Sequence, residues 1–438
     1  VNHWIIAPVL LPAMLAPLIV LAMRGDLVLQ RVASVAGTLV LAAISVGLTV
    51  HASSQGPEAY FLGNWPAPFG IVLVLDRLSA LLVLLTSILA LIVLAHAIGT
   101  RWDARGRHFH ALFQFQLMGV NGAFLTGDAF NLFVFFEILL IASYGLMIHG
   151  GGRDRLRGGV QYMAFNLAGS TLFLFALGTI YSVTGTLNMA DLAEKMAVLP
   201  EGHAALARVA GVLLLIVFAV KGALVPFQFW LPSTYALAPG PVSALFAIMT
   251  KVGAYAILRF YTLIFPTDTP ATGEFFADLL VPAAVATIAL GMIGVLGAKS
   301  LGRVAAFAAV GSMGTLFLAI SAFTPTATVA ALYYLIHSTF AAAVFFLVAD
   351  LVLSARGSDD LRLLRPEMPG HGLTAALFFA ACIAMAGMPP LSGFVAKLLV
   401  LDALRGVEGG MWLWFAILSG SIIAILGFAR AGSRVFWK

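Results

Sequence analysis

Six ionisable side chains stand inside long apolar runs: Glu137, Lys221, Lys251, Arg259, His337 and Lys397. Glu137 shows the problem best. Residues 131–140 read NLFVFFEILL, and eight of these ten are apolar or aromatic. Charged groups at such depth cost about 2.5–3.5 kcal/mol each on insertion scales, so each is a functional candidate by default. Glutamate, lysine and histidine can hold and release a proton, and a proton path requires a row of such groups. Arginine cannot take that part, because its pKa lies above about 12. Asp350 is a seventh candidate, nearer one end of its apolar run.

Each group also has a plain structural reading. Glu137 and Lys221 read as an ion pair locking two helices, although a buried pair is weak evidence for stability. His337 alone reads as a hydrogen-bonded core histidine, and Asp350 as an interface residue. Arg259 reads as snorkelling, or as holding a neighbouring helix through a carbonyl. Four midspan basic or imidazole groups with one carboxylate are harder to explain as glue. The sequence offers no nucleophile–base or metal-ligand set, so no enzyme chemistry and no cofactor is expected. The single cysteine, Cys382, excludes a disulfide within the chain and argues against a thiolate metal site.

The elements that must position these groups are membrane spans. Of 438 residues, 61% are hydrophobic and 10% charged, and the mean hydropathy is +1.03. Soluble proteins of this size are about a quarter charged, so the expected solvent is the lipid bilayer. The pI near 9.4 then reflects basic loops and not a nucleic-acid partner. With about 20 apolar residues per span, thirteen candidates emerge: 4–23, 29–51, 72–98, 109–126, 128–149, 157–184, 205–225, 241–265, 276–297, 301–323, 327–353, 372–404 and 411–433. The first has no basic residue before it and no small-residue cleavage site after it, so it reads as a span, not a signal peptide.

Lysine and arginine test the count. Connections after odd-numbered spans, with the tail after the thirteenth, hold sixteen of the 24; connections after even-numbered spans hold four. The positive-inside rule then puts the N-terminus outside and the loops around 101–107 and 153–157 in the cytoplasm. Acids lean to the other side, among them Glu58, Asp76, Asp128, Asp191 and Glu194. There, residues 57–75 alternate as an outer hairpin should, and Thr186 to Ala207 read as a loop with a short surface helix.

Two spans carry internal breaks. Residues 221–241 read KGALVPFQFWLPSTYALAPGP, with Pro226 and Pro232 in the first part, and residues 387–397 read GMPPLSGFVAK, with Pro389 and Pro390. Proline removes a backbone donor and clashes with the preceding turn. In lipid the freed carbonyls must be met by protein or water, so broken helices usually line a hydrated site. Each break has a lysine beside it, Lys221 or Lys397. The breaks fall in spans seven and twelve, five apart. Spans 4–8 and 9–13 therefore read as two inverted five-helix repeats, with domains at 1–108, 109–265 and 276–433.

The stretches NLFVFFEILLIASYGL, KGALVPFQFWLPSTYALAPGPVSALFAIMTKVGAYAILR and GMPPLSGFVAK resemble the antiporter-like subunit family. That family includes the large membrane subunits of respiratory complex I, membrane hydrogenases and the Mrp cation/proton antiporters. DAFNLFVFFEILLIASYGLMIHG and YYLIHSTFAAAVFFLVADLV are most similar to its Mrp D-subunit branch. The resemblance implies an all-α polytopic fold with discontinuous helices 7 and 12. It implies a proton pathway of Glu137, Lys221, Lys251, His337 and Lys397, with Arg259, Asp350 and Tyr255 as auxiliary candidates. It also implies other membrane subunits as partners, protons and Na⁺ or K⁺ as cargo, and the bacterial inner membrane as location. Some relatives carry a second lysine about a turn after the histidine; here that stretch is Ser338-Thr339-Phe340-Ala341-Ala342. The family has a fourteenth span, and this sequence ends at Lys438 after thirteen. The expected function is proton translocation in a monovalent cation/proton antiporter. The alternatives are a proton-pumping subunit of a redox-driven complex, or a structural subunit that does not conduct.

Overall fold

The computed structural model describes residues 2–269, 272–363 and 371–437. Arg365 and Lys438, two of the sixteen basic residues counted above, fall outside them. The chain is almost entirely helical. In order the helices are α1 (Ala7–Ala22), α2 (Leu27–Gln55), α3 (Arg77–Gly99), α4 (Phe109–Leu125), α5 (Ala129–Met147), α6 (Arg153–Thr184), α7 (Met189–Ala197), α8 (Ala204–Gly222), α9 (Trp230–Leu237), α10 (Gly240–Phe246), α11 (Met249–Leu263), α12 (Phe275–Gly297), α13 (Leu301–Ile320), α14 (Pro325–Arg356), α15 (His371–Ala386), α16 (Ser392–Ala403) and α17 (Gly410–Phe436). A small hairpin precedes α3: β1 (Glu58–Phe61) pairs antiparallel with β2 (Val72–Leu75), Glu58 opposite Leu75.

Among the described residues, eleven helices are long and apolar enough to cross a membrane, against thirteen expected spans. The difference has a physical cause at two places. Helix α4 has 17 residues, about 26 Å at 1.5 Å per residue. The twelfth span is divided at 387–391 into α15 and α16, each too short to cross alone. The eighth span is also interrupted, between α10 and α11, where no proline or glycine announced it.

Helix starts follow local chemistry. The carboxylates of Asp26, Asp76 and Asp128 accept backbone N–H groups at the starts of α2, α3 and α5, and Asn188, Ser300 and Thr324 do so for α7, α13 and α14. Gly185 and Gly357 end α6 and α14 in the left-handed region, which costs glycine nothing. Large apolar side chains such as Leu21, Phe175 and Met411 stay exposed, as lipid-facing surfaces require.

The chain forms two compact units, Val1–Phe218 with Tyr255–Glu274, and Ala219–Ala254 with Phe275–Lys438. In the first, α4 packs on α1 and α5, α2 on α3, and α5 on α6. One end of it is tied through Asp103, buried in the loop after α3, which joins Arg31 of α2 to His110 of α4. Arg31 forks onto Asp103 at 2.5 and 2.9 Å, and His110 Nε2 lies 3.1 Å from the same carboxylate. Burial alone would raise the Asp103 pKa, but the Arg31 and His110 contacts outweigh it and hold the carboxyl below its ordinary value. A depressed carboxyl stabilises the fold above its unfolded value, about 3.9, and loses that contribution as pH falls through the lower folded value. Asp103→Asn should therefore melt at lower temperature than wild type at neutral pH. The gap should close below about pH 4, as thermal melting in detergent across pH will read. A gap that stays constant with pH would contradict this assignment. In the second unit, α12 packs on α13 and α17, and α14 on α13, α15 and α16.

Candidate functional site

Glu137 sits midway along α5 and is half-buried. The Ser170 hydroxyl of α6 donates to its Oε1. Phe133 and Phe136 lie close by on α5, both meeting the Phe173 ring edge-on. Serine at position 170 carried no signal in the sequence, since one hydroxyl on a long helix is ordinary.

Lys221 ends α8 and is 6% exposed. The chain then leaves the helix through Ala223, at φ 54°, and the cis Val225–Pro226 bond. The break's backbone groups are met by protein. Val225 N–H donates to the Thr287 hydroxyl at 2.9 Å, and the Trp230 indole N–H donates to the Val220 carbonyl at 3.0 Å. Pro232 lies in the first turn of α9, where a missing N–H costs little.

Lys251 follows the interruption of the eighth span and is 2% exposed. Its ammonium meets the Met313 sulfur of α13 at 3.1 Å. His337 and Lys397 are both brought to the second break. His337 Nδ1 is 2.9 Å from the Ser392 hydroxyl at the start of α16. The Lys397 ammonium donates to the Ala386 carbonyl at 2.9 Å and to the Ser421 hydroxyl at 2.7 Å. It thereby satisfies a carbonyl that the break at cis Pro389–Pro390 leaves free. A cavity of about 390 Å³ reaches His337 and Ser392 between Tyr333 and Phe340.

The auxiliary candidates fall in two places. Asp350 is 3% exposed and packs against Gly240. Arg259 holds a carboxylate and not a carbonyl. It forks onto the Asp76 carboxylate at 2.5 and 3.0 Å, and its Nε donates to the Tyr255 hydroxyl at 3.1 Å. Among the described residues no group of three or more His, Cys, Asp or Glu is placed to hold a metal ion.

Comparison with known proteins supplies the family. Residues 126–424 match the model described as NADH:quinone oxidoreductase/Mrp antiporter, transmembrane. The chain belongs to that family. All five residues of the expected proton pathway lie within the matched segment. The D subunit of a probable K⁺/H⁺ antiporter of Rhizobium meliloti (strain 1021) is 41% identical over 100% of this chain and 87% of that protein. The D subunit of a Na⁺/H⁺ antiporter of Bacillus subtilis (strain 168) is 38% identical, with the same coverage of each. Among solved structures, a chain of the Mrp complex from Dietzia sp. DQ12-45-1b superposes with TM-score 0.89 at 30% identity, covering 100% of this chain and 81% of that one. A chain of respiratory complex I from Thermus thermophilus gives TM-score 0.84 at 25% identity, covering 100% and 89%. The broken helices and the buried row thus occur in a member of the Mrp antiporter and NADH:quinone oxidoreductase family.

Proposed function

We propose that the chain is the proton-carrying subunit of a multisubunit antiporter that exchanges H⁺ for Na⁺ or K⁺ across a bacterial inner membrane, with its N-terminus outside. Protons enter by Glu137 and Lys221 and pass by Lys251 and His337 to Lys397. The two broken helices belong to inverted five-helix repeats and bring water to the row. Other membrane subunits complete the complex.

The observation that carries the relay is the company the lysines keep. Lys397 is held by a carbonyl and a hydroxyl, and Lys251 by a thioether. A lysine with neutral partners can give up its proton without stranding a buried carboxylate. A structural lock at either of these two positions would pair the lysine with an acid, since breaking such a pair leaves an uncompensated charge. The names of the two antiporter relatives and the higher identity to the Mrp complex than to complex I favour antiport over redox-driven pumping.

The test uses vesicles bearing the whole complex, with a proton gradient reported by quenching of a pH-sensitive dye. Added Na⁺ or K⁺ should discharge the gradient. A gradient indifferent to both cations rules the antiporter reading out.

A further inference from the structure

The geometry points to an ion port in the first unit: a cavity through which hydrated monovalent cations, hydronium among them, reach the Asp76–Arg259 pair, which gates it. The inference rests on the antiporter reading above. Asp76 precedes the family-matched segment, and the proton row does not use it.

The cavity holds about 690 Å³ between the β1–β2 hairpin, the α4–α5 turn and α7. Its lining is mainly apolar, and its charged groups are Asp76, Asp191, Glu194, Lys195 and Arg259. The hairpin wall is apolar, with Phe61, Val72 and Val74, and offers no titratable group. Opposite it, α7 presents Asp191 and Lys195, paired at 3.3 Å, and the exposed Glu194. With Asp76 and Arg259 the lining carries three acids against two bases, and the excess acid favours cations over anions.

The floor is layered. Asp76 caps α3, accepting the Ser79 N–H at 2.8 Å, and receives both arms of Arg259. Behind the guanidinium lies Tyr255, whose hydroxyl donates to the Phe124 carbonyl at 2.8 Å and is 1% exposed as a residue. Carboxylate, guanidinium and phenol thus follow one another inward from the cavity. Arginine keeps its charge, so Arg259 cannot relay a proton. Placed here it repels cations for as long as Asp76 holds it. A cation competing for the Asp76 oxygens weakens both forked bonds. The guanidinium then turns toward the cavity, and the Tyr255 oxygen, freed of the Nε–H, faces water.

Two experiments on the whole complex in vesicles test port and gate. In a Cys382→Ser background, Ala190→Cys places a thiol on the cavity wall. A membrane-impermeant cationic methanethiosulfonate should label it roughly tenfold faster than an anionic one of the same size. The attached cation should at least halve cation-driven exchange. Equal rates, no labelling, or labelling without effect on exchange overturns the port. For the gate, Asp76→Asn and Arg259→Gln should assemble and raise passive proton leak severalfold. Assembly with no added leak overturns it. Should these variants not assemble, Arg259→Lys keeps the charge, loses the fork and carries the same test. Labelling is read without transport, so failure of the port and failure of the relay are separable.

Discussion

Replacing Glu137 or Lys221 by alanine should lower cation-driven proton exchange at least about tenfold while the complex still assembles. Glu137 is the one carboxylate of the row, and α5 carries it among phenylalanines and leucines. A group tolerated there at a cost of a few kcal/mol returns that cost in function or not at all. Alanine at 137 removes both the proton-holding group and the acceptor for the Ser170 hydroxyl. Ser170→Ala separates these two effects. It keeps the carboxylate and removes a charge-assisted hydrogen bond, worth about 1.5–3 kcal/mol, so exchange should slow without vanishing. Lys221→Ala removes the cation at the end of α8 and leaves the break itself intact, because Thr287 and Trp230 hold the break's backbone. The measurement is dye quenching in vesicles, beside a blue-native gel for assembly. Both alanine variants exchanging at wild-type rates in assembled complexes would falsify the relay.

What the sequence disclosed, and what it hid, divides along the range of the forces involved. The hairpin at 57–75, the short helix after Thr186 and both breaks were legible because each is written in a local pattern: alternation, a polar stretch, or prolines in an apolar run. The buried row was legible because apolar neighbours make an ionisable residue conspicuous. Partners were hidden. Arg259 finds Asp76 183 positions away, and Asp76 already had a sufficient local role as the cap of α3. Met313, Ser392 and Ser421 are residues that any apolar helix carries, and only packing brings them to the lysines and the histidine. The interruption after α10 was hidden as well. No proline or glycine stands at 247–248 to mark it.

Gly393→Ala should disable the protein with a single methyl group. Position 393 lies in the first turn of α16, one residue after the serine that meets His337. A Cβ there would collide with the Ala384 carbonyl oxygen and come within 3.0 Å of His337 Cε1. The first contact is with backbone at the end of α15, which cannot rotate away as a flexible side chain can. Helix α16 must move off α15, and such overpacking costs about 1–3 kcal/mol. The displacement also works on function, since α16 carries both Ser392 and Lys397. Their bonds to His337, Ala386 and Ser421 span 2.7–2.9 Å and weaken steeply when stretched. Gly387→Ala is the milder comparison at the same break. Its φ of +80° strains any side chain, but its closest neighbour is the flexible Lys397 chain, at 2.5 Å. Gly372→Ala, with nothing within 4 Å, is the control. Melting temperature and exchange should both fall in the order Gly372→Ala, Gly387→Ala, Gly393→Ala. A Gly393→Ala protein that melts and exchanges like wild type would mean that α15 and α16 do not approach this closely in the membrane. The arrangement of Lys397 around the break would then have to be redrawn.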